Sequence, residues 1–146
     1  MVSESSRMSS AAEARFRIQA QPATTRAISV TALDPASDRL LGELRARALT
    51  GATFFAASAI ATQVHNIAAA DLAVMIAVAG ADAPGVALIG QACSGRRVPT
   101  ATFVIRNAST TEAAVSKTLA QVRPWSLMVV VASEAAYVED VLRSFR

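Results

Sequence analysis

The chain has 146 residues, which fits one domain with a sizeable core. Its hydrophobic fraction is 53% and its mean hydropathy +0.38, but much of this is alanine, and no apolar run reaches the roughly 18 residues needed to cross a bilayer. The net charge is +3; apart from Arg45/Arg47 and Arg96-Arg97, the other nine of the thirteen arginines are scattered and barely interleaved with aromatics, so a nucleic-acid partner is not the expectation.

In chain order, Met1–Ser10 carries Glu4 and Arg7 among serines, which is not the pattern of a secretory signal. Residues 1–24 read as a disordered or partly ordered tail, with Met1–Ala11 disordered. Within it, Arg15-Phe16-Arg17-Ile18-Gln19 alternates charged and apolar residues and is a candidate edge strand. Residues 25–146 form the domain proper.

Arg26–Leu33 is the first convincing strand, and Asp34-Pro35-Ala36-Ser37 is a loop with a helix-start signal. Leu40, Leu41, Leu44 and Ala48 follow at helical spacing, with Arg39, Glu43, Arg45 and Arg47 outward. Glu43 and Arg47 are a favourable i,i+4 pair, and Gly51 suits the left-handed position after the helix. Ala52–Ala56 reads as a short strand. Ser58–Ala69, with Ile60, Val64 and Ile67 at three- and four-residue spacing, reads as a helix.

Asp71–Ala79 is apolar without alternation at Val74, Met75, Ile76 and Val78, as in a strand covered on both faces. Pro84–Gly95 is the next helix, with Asp82 as N-cap, a stripe of Leu88, Ile89, Ala92 and Cys93, and Gly95 as its end. Cys93 is the one cysteine, so no internal disulfide forms and a reducing cytoplasm is the expected location. Its place on the stripe makes it a core residue, and with a single His, His65, no metal cluster is expected.

Val98–Ile105 is the next strand. Ser109-Thr110-Thr111-Glu112 is a capping box, and the helix behind it puts Val115, Leu119 and Val122 inward until Pro124 stops it. Trp125 lies at the amino edge of the last strand, where it covers the core or meets another subunit. Leu127–Val131 is that strand, another continuous apolar run. Ser133 caps the last helix, whose stripe is Val138, Val141, Leu142 and Phe145, with Glu139 and Arg143 as a second i,i+4 pair.

Five strands, each followed by a helix, predict a single-domain three-layer αβα sandwich. Its strands are mainly parallel and its crossovers right-handed, a Rossmann-like or flavodoxin-like α/β fold. The strand order is 3-2-1-4-5 or 2-1-3-4-5.

The stretch Ala70–Gly80, the helix after it, and Arg97–Ile105 resemble the middle of the nucleotide domain in tubulin/FtsZ-type GTPases. That family opens this strand with an acidic residue, here Asp71, and follows it with a glycine-rich phosphate loop. The resemblance covers about 40 residues, and it implies a nucleotide beside Gly80. Ala81-Asp82-Ala83-Pro84-Gly85 departs from the family's glycine run, so no GTPase activity is carried over.

From the residues themselves, the carboxyl edge of the sheet is the place for a ligand, because helix N-termini there offer free N–H groups. Asp34, Gly80, Ala81, Asp82, Arg106 and Ser133 make up the candidate ligand-binding rim. The G-x-G-x-x-G and G-x-x-x-x-G-K-[ST] fingerprints are both missing, and no cofactor is specified. Capping and turn formation account for the same residues equally well.

Three functions follow. The first is a small-ligand or nucleotide-binding module without strong catalysis. The second is a structural or protein-interaction module, a homo-oligomer that has lost its pocket. The third is an enzyme using Asp34, Asp82 or Glu134 as general base. The expected partners are a small molecule or nucleotide and a second copy of the chain, and no membrane. Rich alanine and arginine suggest a GC-rich bacterial source.

Overall fold

A computed structural model describes residues 26–47 and 49–144. The expectations for residues 1–24, including the edge strand at 15–19, lie outside the described residues, as does Phe145.

The strands are β1 (Ile28–Ala32), β2 (Ala52–Phe55), β3 (Leu72–Val78), β4 (Thr100–Ile105) and β5 (Met128–Ala132). All pair in parallel in the order β2-β1-β3-β4-β5, the second of the two expected orders. Five helices connect or follow them: α1 (Ser37–Ala46), α2 (Ile60–Ile67), α3 (Val86–Arg96), α4 (Glu112–Val122) and α5 (Ala135–Ser144). This is the three-layer αβα sandwich of Rossmann-like and flavodoxin-like domains.

β3 lies at the centre and its apolar run is covered on both faces. Val74 and Ile76 turn to one layer with Leu41 and Leu44 of α1 and Val138 and Leu142 of α5. Ala73, Met75 and Ala77 turn to the other, with Ile60 and Ile67 of α2, Ile89 and Cys93 of α3, and Val122 of α4. The alternation is the ordinary pleat of a strand, read twice because each face has helices on it.

Several ends differ from the sequence expectations, each for a local reason. Asp82 does not cap α3: the N-cap is Gly85, without a side-chain bond, and the turn before it is closed by Val86 N–H donating to the Ala83 carbonyl. Gly95 does not end α3 either. The helix runs to Arg96, and Arg97 takes the left-handed conformation at φ +57°. Leu88 is exposed, so the buried stripe of α3 is Val86, Ile89, Gly90 and Cys93. Gly90 is on it because Trp125 lies against its backbone; a Cβ there would stand 2.6 Å from the indole.

At α4 the cap is Thr111, whose hydroxyl accepts the Ala114 N–H at 3.1 Å, and not Ser109. Ser109 is drawn instead into the turn closed by Asn107, whose side-chain oxygen accepts its N–H and its hydroxyl. Gly51 has the expected positive φ, +81°, but at the start of β2 and four residues past the α1 cap at Arg47. The α2 region opens with a 3-10 turn, Ala57–Ala59. Arg47 pairs with Glu139 of α5 at 2.6 Å rather than with Glu43, because α1 and α5 pack side by side. Among the described residues β5 is an edge strand: it pairs with β4 alone, and its apolar run is only partly buried, with Val129 against one core layer and Val130 and Ala132 against the other.

Candidate functional site

The strand order places the loops after β1 and β3 next to each other at the carboxyl edge, where the order reverses and α/β folds hold ligands. This corner carries Asp34 from one loop and Gly80, Ala81 and Asp82 from the other.

Asp34 is 2% exposed and both its carboxylate oxygens are taken. Oδ1 accepts the Ser37 N–H at 2.9 Å, so Asp34 opens α1 as a capping group. Oδ2 accepts the Ser37 hydroxyl at 2.9 Å and the Val78 N–H at 3.0 Å. The second of these crosses 44 residues and ties the β1 loop to the end of β3. A carboxylate buried this way and accepting three hydrogen bonds from its own chain suits a strut better than a general base.

Beyond Val78 the chain turns at Gly80, φ +92°, a conformation that costs a glycine nothing. The turn's donors are met from α4. The Gly80 N–H donates to the Thr118 hydroxyl at 2.8 Å, and the Ala83 N–H donates to Gln121 Oε1 at 2.8 Å. The Ala81 N–H closes the turn on the Val78 carbonyl at 3.1 Å. Lys117 Nζ lies 3.4 Å from the Gly80 carbonyl and 3.2 Å from the Asp82 carboxylate. The Gly80, Ala81 and Ala83 amides of this turn are therefore already bonded within the chain, two of them to side chains of α4.

The rest of the rim is similarly engaged. Arg106 pairs with Glu112 at 2.8 Å and donates to the Thr110 carbonyl at 3.2 Å. Its own N–H donates to the Ala132 carbonyl, which sets it beside Ser133. Ser133 is exposed and lines a shallow cleft of about 370 Å³ with Val131, Ala132, Glu134 and Tyr137. The structure thus joins Asp34 to the end of β3 and Arg106 to the end of β5, but Asp82 and Arg106 each answer to a different α4 residue, Lys117 and Glu112.

Cys93 is fully buried, and burial pushes its thiol up, away from nucleophilic thiolate chemistry. His65 is exposed at the other end of the sheet, its carbonyl accepting from Arg96. Among the described residues no group of three or more His, Cys, Asp or Glu could hold a metal, and no helix is long and apolar enough to cross a membrane.

The residues that sequence reasoning missed are Thr118, Gln121 and Lys117. One signal was available: Thr118 follows Val115 by three positions and precedes Val122 by four, a hydroxyl on an apolar stripe that needs a partner across the core. Comparison with protein-family models and with curated proteins finds no match to this chain.

Proposed function

We propose that this chain is a structural, protein-interaction module that self-associates, built on a Rossmann-like frame whose ligand corner is closed by its own side chains. One observation carries the reading. Among the described residues, four of the five large exposed apolar side chains, Leu127, Met128, Val131 and Tyr137, gather at the β5 border of the sheet. Apolar groups gathered at one border mark a contact surface far more often than the same number scattered singly. The occupied amides of Gly80, Ala81 and Ala83 support the same reading from the other side, since these three donors are already committed within the chain.

A second reading keeps a small ligand at the carboxyl edge, in the cleft of Ser133, Glu134 and Tyr137. Thermal denaturation with nucleoside mono- and triphosphates, inorganic phosphate and small carboxylic acids separates the two. The interaction module shows no saturable shift with any of them. A ligand held at a hundred times its dissociation constant would add about 2.7 kcal/mol of stability, and a saturable rise in Tm of that origin would overturn the first reading.

A further inference from the structure

We propose that β5 pairs with β5 of a second copy of this chain, antiparallel about a two-fold axis, to make one continuous ten-stranded sheet. The inference rests on the interaction-module reading and gives it a partner and a geometry.

Among the described residues, no strand pairs with the outer edge of β5. The Ala132 carbonyl accepts from Arg106 N–H, so that residue's backbone groups face β4. By the alternation of a strand, Val129 and Val131 turn their N–H and C=O groups to the free edge. The strand Met128-Val129-Val130-Val131-Ala132 carries none of the usual edge protection: no lysine, no proline, no bulge. The opposite border is guarded. β2 has only four residues, and Arg45 lies over the Phe54 ring at 5.7 Å.

The side chains beside that open edge are apolar: Leu127 is 81% exposed, Val131 42% and Met128 38%. A two-fold contact must be self-complementary, and an uncharged apolar strand meets its own copy without conflict.

Charge selects the direction. Arg123 stands in the 3-10 turn just before β5, at the amino edge, and Glu134 just after β5, at the carboxyl edge. Both are exposed, and neither has an ion pair among the described residues. Antiparallel pairing brings each copy's Arg123 end to the other's Glu134 end, twice by symmetry. Parallel pairing would set arginine beside arginine and glutamate beside glutamate.

The test uses the full chain. Light scattering over a concentration series reads the mass, and hydrogen exchange reads the Val129 and Val131 amides. The expected result is a species of twice 15.2 kDa whose formation protects those two amides in step with concentration. Val131→Lys, with its far-UV circular dichroism unchanged, is expected to stay monomeric. Arg123→Glu is expected to weaken the dimer about tenfold, from two lost pairs and two new repulsions, and the double variant Arg123→Glu with Glu134→Arg to restore it. The charge series needs no core change, so it decides the matter even if Val131→Lys does not fold.

A chain that stays monomeric up to millimolar concentration overturns the proposal. So do amides protected equally at every concentration, which would place the chain's own residues 15–19 on the edge, and a dimer indifferent to both kinds of substitution. Each of these leaves the ligand titration standing as the separate measure of the interaction reading.

Discussion

Asp34 shows how a single side chain serves two levels of structure. Its place before Pro35 and Ser37 marks it as the opening of a helix, and it does accept the Ser37 N–H. The bond to Val78 N–H could not be read from the sequence, because it depends on β1 and β3 being neighbours. Asp34→Ala takes the acceptor from the Ser37 hydroxyl and the Val78 N–H, while the Ser37 N–H keeps the residue-34 carbonyl, so unfolding free energy measured in urea is expected to fall by about 3 kcal/mol. Thr31 is the opposite case. It is fully buried between Phe55 and Met75 with its hydroxyl unpaired. Thr31→Val keeps the shape and removes the unsatisfied group, and a gain of about 1 kcal/mol by the same measurement is expected.

At the scale of elements, the positions of the helices were legible and their ends were not. Three- and four-residue spacing of apolar residues is a property of the whole segment, so all five helices, α1 to α5, could be found from it. A cap is one local competition. Ser109 lost to Thr111 because Asn107 offered it a better-placed acceptor. Pairing between helices was equally invisible: Arg47 had a good partner four residues back in Glu43 and took Glu139 instead.

That choice has a pH signature. Hydrogen bonding to Arg143 and then to Arg47, with their charges, holds the Glu139 carboxyl below the ordinary glutamate value. A carboxyl lowered in the folded state contributes stability that is present above its unfolded value and lost as pH falls through the folded one. Glu139→Gln is therefore expected to lower Tm at neutral pH and to match the parent once the pH is below that lowered value. Thermal scans across the acid range check it.

At the scale of the whole molecule, β3 is the shared wall of both core layers. Its Ile76 meets the α1 and α5 layer, while Met75 next to it meets α2 and α3. Damage to one layer is thus transmitted to the other through the strand they have in common. Ile76→Ala, which deletes a fully buried side chain, is expected to lower the unfolding free energy by about 3 kcal/mol. A single transition with an unchanged urea slope is expected, since the two layers cannot unfold separately without dismantling β3.

By itself the sequence determined the alternation of strands and helices, and with it a parallel sheet covered on both faces. Hydrophobic periodicity is a local property, and a right-twisted strand feeding a right-handed helix packs back on the sheet with a right-handed crossover. It also marked Asp71–Ala79 as the buried centre, through the apolar run in which β3 is found at Leu72–Val78. Only the tertiary structure decided which order the strands take and who occupies the turn after β3. Thr118 and Gln121 stand 38 residues from the amides they bond, and no local pattern encodes a contact across that distance. The same holds for Leu127–Val131. As a string of apolar residues it is indistinguishable from a central strand, and it becomes an exposed border only because nothing among the described residues follows β5 in the sheet.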